Sequence, residues 1–90
     1  MKLSDRLAAA PHVIAREVGD ETVLLDLASG TYFGLNPAGA RIWQLLESGK
    51  SLGEICDAML DEFDVPRGAL EEDALALARE LAAKDLISVV

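Results

Sequence analysis

Residues 31–35, Thr-Tyr-Phe-Gly-Leu, offer the most usable chemistry in this chain, and it is main-chain chemistry. The segment is short, apolar and aromatic, the composition of a strand. Asn36-Pro37 follows at once and starts a helix, so no later strand is at hand to pair with its free side. A strand left so presents a row of unpaired N–H and C=O groups to any extended peptide. Those bonds supply affinity with little demand on sequence, and selectivity must then come from pockets for alternate side chains. Tyr32 and Gly34 point one way; Thr31, Phe33 and Leu35 point the other. Tyr32 is either a stacking platform for a guest residue or a half-exposed strand aromatic. Gly34 either admits a close approach from another backbone or marks a bend into Asn36.

Side chains able to do covalent or acid–base chemistry are sparse. His12 is a lone histidine at a strand start with no partner in reach of the pattern. Cys56 sits on the apolar face of a helix, where a small buried hydrophobe is the usual role. Its neighbours Glu54 and Asp57 would disfavour a thiolate. Asp61, Glu62 and Asp64 lack the spacing of a calcium loop and suit a solvated acidic helix end. No Ser/His/Asp arrangement and no phosphate-cradling glycine loop occurs. We therefore expect no catalytic residue, no metal site and no cofactor.

The elements that must position residues 31–35 can be read from the pattern. His12 to Val18 and Glu21 to Leu27 are candidate strands joined by Gly19-Asp20, which suits a two-residue II′ turn. In the second strand Val23, Leu25 and Leu27 are assigned to the core face, and Thr22, Leu24 and Asp26 to a half-exposed one. Ala28-Ser29-Gly30 makes the next turn, and Thr31 to Leu35 completes a three-stranded antiparallel meander. Asn36 caps a helix with Pro37 in its first position. Ala38, Ile42, Leu45 and Leu46 form its apolar face, with Trp43 beside them, and Gly49 lies just past its end. Ser51 and Glu54 form a capping box. The following helix repeats apolar residues at Leu52, Ile55, Cys56, Met59, Leu60 and Phe63. A third helix runs from about Pro66 to Lys84 with a broad stripe of Leu70, Ala74, Leu77, Ala78 and Leu81. That stripe suits a buried alanine-rich helix, or one that packs on the core and also lines a groove. Asp73, on its flank, either pairs with a basic guest residue or complements the helix dipole with Glu71 and Glu72. Residues 1–11 read as a flexible tail with a short helical turn over Leu3–Ala10. Residues 12–90 read as the folded domain, and Leu86–Val90 as a short strand or an apolar tail. The fold class is α+β: a three-stranded antiparallel sheet followed by three helices, a winged helix–turn–helix arrangement with the sheet placed first.

Composition narrows the function. Ninety residues make one domain, which buries only roughly 60–65 % of the surface its unfolded chain exposes. A core and a deep substrate cavity do not both fit easily. The net charge of −8 leaves no basic face for nucleic acid or an anionic membrane surface. The second helix of the helix–turn–helix shows Glu54, Asp57, Asp61 and Glu62 where a DNA reader needs basic or amide side chains. A single cysteine rules out an internal disulfide and suits a reducing cytoplasm, and no run approaches the length of a membrane span.

An ordered set of motifs resembles the PqqD family, the peptide-chaperone type of RiPP recognition element. The matching segments are His12-Val-Ile-Ala-Arg-Glu17, Glu21-Thr-Val-Leu-Leu-Asp-Leu27, Gly30-Thr-Tyr-Phe-Gly-Leu-Asn36, Gly39-Ala-Arg-Ile-Trp43, Ser51-Leu-Gly-Glu-Ile55, Phe63-Asp-Val-Pro66 and Asp73 to Leu86. Together they cover residues 12 to 87. The resemblance implies a domain that binds the leader of a ribosomally made precursor peptide and presents it to a maturation enzyme: a leader protease, a cyclase or a radical SAM enzyme. It implies that the leader adds as a strand along Thr31, Tyr32, Phe33, Gly34 and Leu35, facing Leu70, Asp73, Ala74, Leu77 and Leu81 of the last helix. The turn Leu27-Ala-Ser-Gly-Thr31 lacks the proline of the pyrroloquinoline quinone chaperones. The stretch Gly30 to Asn36 is more similar to stand-alone leader-binding proteins of lasso-peptide pathways. The alternatives are a chaperone of the pyrroloquinoline quinone precursor and a winged-helix DNA-binding regulator. The acidic surface suits a partner enzyme with a basic docking patch.

Overall fold

The computed structural model describes residues 1–90. In chain order it comprises β1 (Leu7–Ala9), β2 (Val13–Val18), β3 (Glu21–Asp26), β4 (Thr31–Leu35), α1 (Pro37–Glu47), α2 (Leu52–Leu60), α3 (Arg67–Ala83) and β5 (Ile87–Val89). β2, β3 and β4 form an antiparallel meander, and β1 pairs antiparallel with β5 in a separate two-stranded sheet. This is the expected α+β order, a three-stranded sheet followed by three helices, with one addition at each terminus.

Local chemistry fixes the turns and caps. Gly19 adopts φ +63 between Val18 and Glu21, as the tight hairpin requires. The Asn36 side chain accepts a hydrogen bond from the Gly39 amide at 2.8 Å and so caps α1. Ser51 and Glu54 exchange both bonds of a capping box at the start of α2. α3 ends in a six-to-one bond from the Leu86 amide to the Leu81 carbonyl, with Asp85 at φ +58 in the position glycine usually takes.

The N-terminal segment departs from the sequence expectation. Residues 1–11 read as a loose tail with a helical turn, yet Leu7–Ala9 form a strand and Leu7 is buried in the core. The reason is that two sets of orphan groups meet there. The Gly53 and Leu52 amides, which begin α2 and have no partner inside it, donate to Leu3 O at 2.7 Å and Asp5 O at 3.1 Å. β5 needs a partner strand, and Ala10 and Val90 extend that pairing to Leu86 and Arg6.

The sheet also faces the opposite way from the alternation assigned to it. Leu24 is fully buried and Asp26 nearly so, while Val23 and Leu25 are half-buried and Leu27 is 64 % exposed. β3 carries apolar residues on both faces, so its pattern alone is ambiguous. Register decides it: Leu24 stands opposite Phe33, and Leu35 on the same face is buried against α1. The outer face is consequently apolar and uncovered, with Ile14, Leu25 and Tyr32 in one cross-strand row. The core joins this inner face to Ile42, Trp43, Leu45 and Leu46 of α1, Leu52, Ile55, Cys56 and Met59 of α2, and Leu70, Ala74, Ala78 and Leu81 of α3.

Exposed ion pairs tie the helices together at their rims. Arg41 of α1 grips Glu62 bidentately, and Arg67 joins Asp57 of α2 to Glu71. Pairs this exposed contribute little individually, but with Arg6 beside Glu54 they engage both acidic side chains of α2, Glu54 and Asp57.

Candidate functional site

The outer edge of β4 is vacant. The order β2-β3-β4 leaves it without a neighbour, and the C-terminal strand that might have covered it pairs with β1 instead. Which groups that edge offers follows from the ladder. The Leu27 amide donates to His12 O at 2.8 Å, so the odd residues of β3 turn their main-chain groups toward β2. Thr22, Leu24 and Asp26 therefore pair with Leu35, Phe33 and Thr31. Tyr32 and Gly34 are left with N–H and C=O directed away from the sheet. Two residues and four main-chain groups form the edge available to another strand.

β4 and α3 flank a groove, and the two run in opposite directions along it. At the Thr31 end lies an open cleft of about 750 Å³ lined by Thr31, Tyr32 and Phe33 of β4, Leu24 and Asp26 of β3, His12, the Ala28–Ser29 turn, and Lys84, Asp85 and Leu86 beyond α3. At the Leu35 end a second cleft of about 400 Å³ is lined by Phe33, Gly34 and Leu35, the start of α1, and Asp73 and Leu77 of α3. Phe33 lines both, so the two clefts meet at its ring. Lys84 Nζ lies 5.8 Å from the centroid of that ring.

Of the ten residues singled out from sequence, Thr31, Tyr32, Phe33, Gly34, Leu35, Asp73 and Leu77 line this groove. Leu70, Ala74 and Leu81 line neither cleft; they are buried beneath it, on the face of α3 that packs into the core. The stripe on α3 thus divides between the two roles its width allowed. Tyr32 is 76 % exposed and points to the outer face of the sheet. A Cβ at Gly34 would meet open space, so no contact within the chain requires glycine there. His12, Asp26, Lys84 and Asp85 also line the groove but were not singled out for it. Their signal is long-range: only the closed fold brings the ends of β2 and α3 to β4.

Asp26 organises the turn that ends β3. Its Oδ1 accepts from the Ala28 amide at 2.9 Å and the Ser29 amide at 3.3 Å, and lies 3.7 Å from His12 Nε2. Burial pushes its carboxyl up, but hydrogen bonds from Ser29 and Ala28 and the nearby imidazole outweigh burial and hold it below the ordinary carboxylate value. Burial pushes the Cys56 thiol up, which makes it a poor nucleophile. No three His, Cys, Asp or Glu side chains gather in a way that would hold a metal ion. No helix is long and apolar enough to cross a membrane.

The family described as coenzyme PQQ synthesis protein D (PqqD) matches residues 21–87. A PqqA binding protein of Gluconobacter oxydans (strain 621H) is 36 % identical over 55 residues, which span 61 % of this chain and 57 % of that relative. The solved structure of TbiB1 in complex with the TbiA(beta) leader peptide is 44 % identical, with a TM-score of 0.84 over 90 % of this chain and 94 % of that one. A lasso peptide synthetase B1 complexed with the leader peptide is 29 % identical, with a TM-score of 0.85 over 92 % of this chain and 98 % of that one.

Proposed function

The chain belongs to the PqqD family, and from that membership we propose that it binds the leader region of a ribosomally synthesised precursor peptide and hands it to a maturation enzyme. The carrying observation is the vacant edge of β4 beside a half-apolar helix face, in a fold shared at 44 % identity with a protein solved with a leader peptide bound. The leader adds as a fourth strand, exchanging main-chain bonds with Tyr32 and Gly34. Its alternate side chains enter the clefts between β4 and α3. Thr31, Phe33, Leu35, Asp73 and Leu77 line its path, while Leu70, Ala74 and Leu81 support it from below. The chain acts in the cytoplasm by binding, and the chemistry belongs to the protease, cyclase or radical SAM enzyme that receives the peptide.

A lasso-peptide pathway is the favoured setting, because both leader-bound relatives align over nine tenths or more of this chain and one is a lasso peptide synthetase B1. Service to the pyrroloquinoline quinone precursor is the second reading, supported by the family description and the shorter match to a PqqA binding protein. A net charge of −8 favours a receiving enzyme with a basic docking patch, so rising salt should weaken that complex.

The test is a titration of the labelled protein with the TbiA(beta) leader, with a PqqA peptide, and with precursors encoded beside its gene. Binding should move the Tyr32 and Gly34 amide resonances, and Tyr32→Ala and Leu77→Asp should weaken it. Amides on β4 that stay still with every peptide, or two variants that bind as the parent does, would remove the proposal.

A further inference from the structure

Asp73 and Lys84 face the same groove from one side of α3 and carry opposite charges. Eleven residues separate them, which returns them to within about 20° of each other around the helix axis and sets them about 16 Å apart along it. Asp73 lines the cleft at the Leu35 end of β4; Lys84 lines the cleft at the Thr31 end. Neither is neutralised within the chain, whose salt bridges all use Arg6, His12, Arg41 or Arg67 as the cation. Of the lysines and arginines, Lys84 alone lines the β4–α3 groove, and it pairs with no carboxylate there. Its ammonium rests instead over the Phe33 ring, within the range of a cation–π contact.

We infer that Asp73 and Lys84 read the charge of the guest strand, Asp73 taking a basic side chain and Lys84 an acidic one an even number of residues away, about four or six. This deepens the leader-binding function proposed for the groove and rests on it. An extended strand advances about 3.3 Å per residue and turns every second side chain to the same face, so about 16 Å of helix corresponds to about four or six residues of guest. Main-chain pairing with Tyr32 and Gly34 accepts almost any sequence, in several registers and in either direction. Opposite charges at the two ends of the groove penalise every arrangement but one, which is how charge supplies specificity without much affinity. When a guest carboxylate draws Lys84 off the ring, the Phe33 face opens where the two clefts meet and becomes available to an apolar guest side chain.

The other charges at the Thr31 end set the limits of this preference. Asp26 is committed to the amides of its own turn and lies beside His12. Asp85 lines the same cleft without pairing to Lys84, so it opposes an acidic guest residue, and Asp85→Asn should sharpen the preference for one.

The experiment is a fluorescence anisotropy measurement with the TbiA(beta) leader peptide or another leader of the titration above, each position replaced singly by Glu and by Lys. The parent protein should show one position where Glu binds roughly two- to fivefold tighter than Lys, and another, about four or six residues away, where Lys is preferred by a similar factor. Lys84→Glu should invert the first preference alone, Asp73→Lys the second alone, and Lys84→Met should abolish the first while keeping the aliphatic stem. If the parent binds but its preferences survive all three substitutions, or it has none, the charge reading falls and leader binding stands. The scan is run on whichever leader of the titration above binds the parent, and if none of those peptides binds, both fall.

Discussion

Leu24 and Phe33 stand opposite each other as a hydrogen-bonded pair across β3 and β4, with Leu24 fully buried. That one pairing turns the Phe33 ring toward the groove and the main chain of Tyr32 and Gly34 outward. The candidate site is therefore a consequence of sheet register, not of any side chain acting alone.

Gly34 allows the vacant edge to be tested with little damage to the fold. Its N–H points away from β3, so Gly34→Pro deletes a donor that no group in the chain uses, at an edge position where proline is tolerated. Leader affinity should fall by tenfold or so, the equivalent of about one main-chain hydrogen bond, while the melting temperature changes little. Gly34→Ala keeps the donor, and its Cβ would meet open space. It should stabilise the strand by about 0.5 kcal/mol. Isothermal titration beside thermal melts reads both effects, and equal binding by the two variants would show that the Gly34 amide is not an anchor.

Leu24 and Leu25 test which face of the sheet is the core. Leu24→Ala empties a fully buried position and should cost about 2–5 kcal/mol in urea unfolding. Leu25→Ala, on the uncovered face, should cost less than about 1.5 kcal/mol. Equal costs would mean that the outer face is covered in solution.

The N-terminal segment should behave as part of the fold. Deleting residues 1–10 removes buried Leu7, strips β5 of its partner strand and leaves the Leu52 and Gly53 amides without acceptors. Hydrogen exchange at Leu52 and Gly53 should be slow in the whole chain and fast in the truncated one. Gly53→Ala should produce part of the same loss, because its Cβ would come within 3.3 Å of Leu3 O.

These outcomes separate what was legible in the sequence from what was not. Caps and turns were legible because each is written within four residues: Asn36-Pro37, Ser51 to Glu54, Gly19-Asp20. The vacant edge was legible because a helix start follows β4 at once. The facing of β3 was not, since both Leu24 and Leu25 are apolar and only pairing with Phe33 chooses between them. Asp26 misled in the same way; an acid reads as solvent-facing, yet here it is satisfied by the amides of its own turn. β1 was hidden because Leu7–Ala9 is too short to show a period, and its partners lie at the far end of the chain. Leu70, Ala74 and Leu81 shared a stripe with Leu77 on a helical wheel, and only the packing of α3 against α1 and α2 divided core from groove.

Acid should unfold this protein through three carboxyls that the fold holds below their ordinary values. Asp26 is lowered because the hydrogen bonds of its turn and the adjacent His12 outweigh its burial. Glu54 is lowered chiefly by the Ser51 amide and hydroxyl, with Arg6 and Lys50 adding to it. Glu62 is lowered chiefly by its hydrogen bonds from Arg41. In each case the unfolded chain binds the proton more readily than the folded one, so stability rises with pH through the titration and levels off above it. The contribution is complete above the ordinary values of 3.8 for Asp26 and 4.5 for the two glutamates, and it is lost as pH falls through the lower folded values. The urea midpoint should stay nearly constant from about pH 7 to pH 5 and drop steadily below about 4.5. Asp26→Asn keeps an acceptor for the Ala28 amide but cannot titrate, so its acid limb should be shallower than the parent's. A parent whose steepest loss falls between about pH 5 and 8, or an Asp26→Asn curve parallel to it, would show that these carboxyls do not set the acid limit.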